Sequence, residues 1–539
     1  VLTRVKSLFR NVVIYGMGDV ATSVVSLLLL PIFTRYLTPA DYGVITILLT
    51  IEAITKVMFR WGVDTAFMRL YYDCHDRRAQ QRLASTIFYF LFLVNGGLVA
   101  AAVMWAGWLS DTLFHTRAHA LLIQLTLANT FVAGFFFIPF QVLRIGERSG
   151  QFVALSFTRS AGTIVARLLL VIGARMGVLG IVTADVAVTA ILTAILSQWY
   201  APLLRPVFSV SVLREALGFG LPRVPHSVAQ QIIGFADRYF LNAYGTLRDV
   251  GLFSIGASFG LALKFFLSAF ESAWTPFFLG LMREPDATRV YSTVSTYVLA
   301  LLVLLVAGVC ATAPAVVRLF TTAQFHSAAA VTPWIALGVM FQGIYLVGSI
   351  GLVITKRTKV YPLSTGAAAA ASVLANVLLI PRYGIMGAAW ANTIAYATLA
   401  TGTVGVSWYV YPIPYEWARL LRVGIAGAVS YVIVSGTVPR NLPPVAGILL
   451  STMATTLMYL MMLSVSGFFH PGEMRVLRDL RSRALQRKRT PVLRAEATPV
   501  EMAGDIVDTP AEPPSAGPDI EPATGMAPTV SPGSRSPRR

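Results

Sequence analysis

Fourteen apolar stretches of roughly twenty residues follow one another along the chain, joined by short connections. They lie near 11–33, 43–68, 83–107, 119–142, 151–174, 177–200, 213–240, 250–280, 290–312, 328–353, 360–380, 384–410, 416–437 and 444–468. A helix rises about 1.5 Å per residue, so about twenty apolar residues cross the hydrocarbon core of a bilayer. Lipid offers no water to the backbone, which confines such a chain to helices or a closed barrel. Stretches of this length select helices. Composition agrees: 56% of residues are hydrophobic and 13% charged, where an ordinary soluble domain carries about 25% charge. The expected fold is an all-α integral membrane protein of about fourteen transmembrane helices, with no folded domain outside the membrane.

The net charge of +18 follows from topology and needs no nucleic acid. With the N-terminus cytoplasmic, the inner connections and the first ten residues hold 15 Lys and Arg, and the outer connections hold 7. Positive charge collects on the cytoplasmic side of membrane proteins. Both termini are therefore expected inside. The segment 471–489, with "EMRVLRDLRSRALQRKR", reads as a basic amphipathic helix on an anionic leaflet. Residues 490–539 are rich in Pro, Ala and Ser and read as disordered.

The stretches contain a repeat. Tyr15-Gly16 returns as Phe219-Gly220, Arg35-Tyr36 as Arg238-Tyr239, and Asp41-x-Gly43 as Asp249-x-Gly251, at offsets of 204, 203 and 208. "MGVLGIVTAD" at 176–185 returns as "YGIMGAAWAN" at 383–392, offset by 207. One period covers six helices, as in transporters built from duplicated units. The expected domains are two six-helix lobes, 1–206 and 207–411, around a central cleft, followed by two additional helices in 412–470.

Ionisable residues inside the stretches mark the candidate site. Asp19 shares a helix face with Tyr15, Thr22 and Ser26, and the repeat aligns that face with Phe219, Arg223, His226 and Gln230. Glu52, Lys56, Arg60 and Asp64 follow at i+4 steps, a spacing that also suits intrahelical salt bridges. Arg159 and Arg167 are expected to face one cleft at two depths, since no acid shares their helix face. Lys264 and Glu271 fall on one face of a later span, and Asp237-Arg238 read as an interfacial anchor. A charge facing lipid at mid-depth costs about 2.5–3.5 kcal/mol or more. These groups therefore line an aqueous cavity or pair within the bundle. Arg60, Arg159, Arg167, Arg223, His226, Gln230 and Lys264 are the candidate substrate-binding residues. Asp19, Asp64 and Glu271 are the candidate ion-coupling residues.

Other chemistry is not readable. Cys74 and Cys310 form no metal-ligating or disulfide pattern. "YGMGD" lacks the third glycine and preceding strand of a nucleotide loop, and no Walker sequence is present. No cofactor, metal or catalytic constellation is expected, and the chain does not read as an enzyme.

The segments "LLLLPIFTRYLTPADYG" (27–43), "WGVDTAFMRLYYD" (61–73) and "PRYGIMGAAWAN" (381–392) resemble bacterial polysaccharide flippases. These are the Wzx-type lipid-linked repeat-unit flippases of the multidrug/oligosaccharidyl-lipid/polysaccharide superfamily. The resemblance covers about residues 5–470. It implies an inner-membrane protein that moves a polyprenyl-pyrophosphate-linked oligosaccharide to the periplasmic leaflet by ion-coupled alternating access, for exopolysaccharide or O-antigen synthesis. The implied partners are that lipid-linked oligosaccharide, membrane lipids, a proton or sodium ion, a polysaccharide polymerase and a chain-length regulator.

Two other readings stand beside it. A multidrug exporter of the same superfamily would share the architecture but favour an acidic cleft. A membrane-embedded polymerase or lipid-sugar glycosyltransferase would need a sizeable loop or catalytic domain. The topology yields a direct test. Cysteines at Arg117→Cys and Arg440→Cys are expected to react with an impermeant reagent added outside intact cells, and those at Arg78→Cys and Arg357→Cys are expected not to. Labelling of the second pair from outside reverses the orientation.

Overall fold

The computed structural model describes residues 29–469 apart from 75, 147, 201, 358, 359 and 440. The chain divides into two compact units, Val1–His470 and Pro471–Arg539, and the described residues belong to the first. Most of the first apolar stretch, with Asp19 and its polar face, lies outside the described residues. So do the basic amphipathic segment and the C-terminal tail.

The described chain is helical throughout, without a strand. In order, the helices are α1 (Leu30–Tyr36), α2 (Pro39–Arg60), α3 (Val63–Asp73), α4 (Arg77–Met104), α5 (Ala106–Phe114), α6 (Ala120–Ala133), α7 (Phe137–Ile145), α8 (Ser149–Leu168), α9 (Gly177–Tyr200) and α10 (Val210–Gly220). They continue as α11 (Val224–Tyr244), α12 (Leu247–Leu261), α13 (Lys264–Leu281), α14 (Ala287–Phe320), α15 (Thr332–Gly348), α16 (Ile350–Ile354), α17 (Val360–Tyr383), α18 (Ile385–Val410), α19 (Trp417–Thr437) and α20 (Pro444–Val465). Among the described residues, ten helical segments are long and apolar enough to span a membrane, or eleven if the bent pair α12–α13 is one span. The 21-residue α11 and 26-residue α18 fall on the expected stretches 213–240 and 384–410. Every expected stretch from the second onward falls on a helix or a broken pair of helices.

The Asp-x-Gly landmarks of the repeat have a physical meaning. Thr38 and Asp41 form a capping box at the start of α2: the Asp41 amide donates to the Thr38 hydroxyl at 3.2 Å, and the Thr38 amide donates to Asp41 Oδ2 at 2.8 Å. Thr246 and Asp249 repeat it at the start of α12, at 3.2 and 3.0 Å. Each box satisfies two amides that have no partner within the helix. Two residues further on, the helices cross with backbones in contact. A Cβ on Gly43 would lie 1.9 Å from the Leu247 carbonyl oxygen, and one on Gly251 would lie 1.8 Å from that of Pro39.

A second close backbone contact lies just beyond the end of α2, against the break between α10 and α11. The second span breaks at Trp61 and Gly62, both with positive φ (48° and 69°). The seventh breaks at the 3₁₀ turn Leu221–Arg223, which contains Pro222. The two breaks touch, and a Cβ on Gly62 would sit 2.3 Å from the Gly220 carbonyl oxygen. Asn95 of α4, 4% exposed, locks the first break. It accepts from Trp61 Nε1 at 3.0 Å and donates to the Phe59 carbonyl at 2.8 Å. The α9–α10 connection is held against α4. Gln81 Nε2 donates to the Pro202 carbonyl at 2.8 Å, the Arg205 amide to Ser85 Oγ at 2.7 Å, and the Ser209 amide to Thr86 Oγ1 at 3.1 Å.

In the second half α17 packs on α11 and α18, and α18 on α15. The last two helices, α19 and α20, pack on the 34-residue α14. The α2–α12 crossing gives a prediction. Gly43→Ala and Gly251→Ala each force backbone apart and are expected to cost at least about 1–3 kcal/mol. Gly366→Ala, with open space at the added methyl, is expected to be neutral or slightly stabilising. Melting temperatures of the detergent-solubilised protein compare them, and equal values for all three would remove the crossing as a constraint.

Candidate functional site

A cavity of about 670 Å³ opens among α2, α3, α7 and α8. Its wall carries Lys56, Arg60, Asp64, Gln141, Arg144, Ser156, Arg159 and Ser160, with four phenylalanines, Phe136, Phe137, Phe140 and Phe152. The i+4 spacing of α2 does form ion pairs. Lys56 pairs with Glu52, and Arg60 Nη1 lies 3.3 Å from Asp64 Oδ2 although the helix breaks between them. Arg144 and Arg159 make no ion pair among the described residues. Each lies over an aromatic ring instead, Arg144 5.1 Å from the centre of Phe152 and Arg159 5.8 Å from that of Phe136. A ring face holds a guanidinium electrostatically without cancelling its charge. The wall therefore offers two uncompensated cations among hydroxyls, an amide and rings.

A smaller cavity of about 210 Å³ lies further along α2 and α8, lined by Tyr42, Glu52, Thr126, Asn129, Arg167 and Asp185 among others. Here the sequence expectation for Arg167 is corrected. Its guanidinium clasps Asp185 of α9 in a two-point bridge, Nε to Oδ1 at 3.0 Å and Nη2 to Oδ2 at 2.8 Å. The acid comes from the neighbouring helix, so the face pattern of α8 alone could not reveal it. Arg159 and Arg167 line different cavities. Glu52 faces the smaller cavity and Lys56 the larger, so their ion pair stands between the two.

The second half disperses its candidates. Arg223 lies over Phe219, 5.1 Å from the ring centre. His226 Nδ1 meets Thr365 Oγ1 at 2.9 Å. Thr365 donates its own proton to the Tyr361 carbonyl, so Nδ1 is the donor. His226 is thus a partly buried histidine held to α17 by this bond. Gln230 follows one turn on and is half-buried. Lys264 Nζ lies 5.6 Å from the centre of the Tyr396 ring, and Glu271 is exposed with no ion pair among the described residues. None of these residues lines the 670 Å³ cavity.

Asp237 and Arg238 are not an interfacial anchor. Asp237 is 2% exposed. It accepts from the Arg238 amide at 2.9 Å, from Arg238 Nη1 at 2.8 Å and from Asn392 Nδ2 at 3.2 Å. Arg238 also donates to the Gly234 carbonyl and lies over Phe235 and Phe253. Asp185 and Asn392 occupy matching positions in the repeat, and each holds a charged partner. The signal was present in the sequence as a repeat landmark, but it does not say what the landmark touches.

The model of a family described as polysaccharide biosynthesis protein matches residues 32–330. The chain belongs to that family. A curated relative, the Lsg locus putative protein 1 of Haemophilus influenzae, is 21% identical over 294 residues, covering 51% of this chain and 67% of its own. A solved structure of the lipid II flippase MurJ in an inward closed conformation superposes with a TM-score of 0.68 at 15% identity, covering 84% of this chain and 98% of that one. An inward-facing MATE family multidrug resistance transporter of the MOP superfamily gives 0.56 at 13% identity, over 78% and 96%. The fold is that of these multi-pass membrane transport proteins, as the resemblance of the three motifs implied.

The Arg167–Asp185 bridge yields a prediction. Both side chains are partly exposed (32% and 22%), so a double-mutant cycle is expected to give about 1–2 kcal/mol of coupling. Arg167→Ala should lower the melting temperature, and adding Asp185→Ala should recover part of the loss. Strictly additive losses would separate the two residues energetically.

Proposed function

We propose that the chain flips a polyprenyl-pyrophosphate-linked oligosaccharide repeat unit from the cytoplasmic to the periplasmic leaflet of the bacterial inner membrane, with both termini cytoplasmic. The observation that carries this reading is the 670 Å³ cavity with Arg144 and Arg159 uncompensated in its wall. A diphosphate brings the complementary charge, and guanidinium groups bind phosphate oxygens through charge-assisted, two-point hydrogen bonds. Gln141, Ser156 and Ser160 supply hydrogen-bonding partners for sugar hydroxyls, and the phenylalanine rings supply flat apolar faces. The family membership supports a polysaccharide pathway, and the fold is shared with a lipid II flippase.

The polyprenyl chain stays in lipid. An apolar cavity of about 400 Å³ between α2 and α11, lined by Ile47, Ile51, Ile54, Ile232, Phe235 and Phe240 among others, suits one of its segments. A proton or sodium gradient drives the cycle in this reading, with Asp64 and Glu271 as the described acids assigned to coupling. Asp19 joins them from outside the described residues. A polymerase and a chain-length regulator would act on the delivered unit. A multidrug exporter of the same fold fits less well, since Lys56, Arg60, Arg144 and Arg159 outnumber the carboxylates in the cavity wall.

The test is substitution at Arg159. Arg159→Ala is expected to lower flipping about ten-fold or more at unchanged membrane level, since a hydrogen bond to a charged group contributes about 1.5–3 kcal/mol. Arg159→Lys should recover part of that loss. The measurement is the accumulation of unpolymerised lipid-linked units inside the cell. If Arg159→Gln performs as well as Arg159→Lys, charge is irrelevant there and the diphosphate reading of the cavity fails.

A further inference from the structure

We propose a second phosphate-binding site outside the cavity, formed by Arg69 and Arg223 on the shared ring of Phe219, where the seventh span breaks. The proposal rests on the diphosphate reading of the substrate. Arg69 lies on α3, its guanidinium carbon 4.9 Å from the ring centre, and that of Arg223 lies 5.1 Å from the same centre. The two cations are therefore no more than about 10 Å apart, a separation near the screening length of about 8 Å at physiological salt. Both side chains are exposed, and neither makes an ion pair among the described residues. Acids are close at hand in the chain: Asp73 lies four residues after Arg69 and Glu215 four residues before Phe219. Neither closes on the arginines.

One aromatic ring thus holds two like charges near each other without a counterion. An anion of two or more negative charges placed between them would remove the repulsion and accept from both guanidinium forks. A diphosphate or a phospholipid phosphate meets this description.

The position gives the site its consequence. Arg69 and Phe219 lie before the break and Arg223 at its end, while Gly62 and Gly220 touch beside it. An anion bridging Arg69 and Arg223 ties α11 to α3 across the break. Its arrival would fix the angle at which α11 leaves α10, so occupancy and the conformation of the second half are linked.

The experiment uses the full chain in phosphatidylcholine nanodiscs, titrated calorimetrically with farnesyl diphosphate at low salt. The wild type is expected to bind two equivalents, and the Arg69→Ala/Arg223→Ala double variant and Arg159→Ala one each. Lysine at both positions should retain the second equivalent with affinity reduced about ten-fold, which separates charge from misfolding. If the double alanine variant still binds two equivalents while Arg159→Ala binds one, this site is overturned and the cavity reading stands. If Arg159→Ala binds two and the double alanine variant one, the cavity reading falls and this site stands. If lysine at both positions binds no better than alanine, the site is overturned. Adding phosphatidylglycerol to the nanodisc distinguishes the sources. Loss of the second equivalent assigns the site to a lipid headgroup, and its persistence assigns it to the substrate diphosphate.

Discussion

Peptide backbones come into direct contact where α2 crosses α12, and the rest of the architecture is arranged around that contact. Gly43 and Gly251 leave no space for even a methyl group. The capping boxes of Thr38/Asp41 and Thr246/Asp249 fix where each helix begins, four residues before its glycine. The crossing joins two helices that start with the same cap and carry the same glycine. Just beyond the end of α2, the Gly62–Gly220 contact brings backbones together a second time, now against the α10–α11 break. Between these two points α2 and α11 run side by side with an apolar cavity between them. Glycine at a crossing replaces side-chain packing with direct approach, which is how helices associate strongly inside lipid.

Charge follows an equally plain rule. Arg167, Arg238 and Arg419 each hold a carboxylate within 3 Å. Arg69, Arg144, Arg159 and Arg223 each hold an aromatic ring and no acid among the described residues. The first group is neutralised and belongs to the framework. The second keeps a charge that no acid among the described residues cancels. These four arginines are thus told apart from the other three by the lack of a carboxylate partner, since Arg238 and Arg419 lie over rings as well.

The helices and their order were legible because apolar length is a local property. Stretches such as 213–240 and 250–280 were placed well even though each turned out to be two helices meeting at a break. The repeat was legible too, since caps and crossing glycines recur at nearly one offset. Partners across helices were not. Arg167 looked free because its acid sits eighteen residues away on α9, and Asp237 looked superficial because Asn392 lies 155 residues away. Phe219 and Arg69 gave no sign of meeting. A one-dimensional pattern reports which face a residue occupies and says nothing of what faces it.

The connection after α9 bears on how the molecule bends. Residues 202–209 are not slack chain, because their backbone is tied to Gln81, Ser85 and Thr86 of α4. The next helix, α10, packs on α3 and α4. Residues 202–220 are therefore held against α3 and α4. The helical run is first interrupted at the 3₁₀ turn Leu221–Arg223, after the tethered segment has ended. The interruption therefore sits on a proline and an arginine inside the seventh apolar stretch, and not in the tethered connection that precedes it.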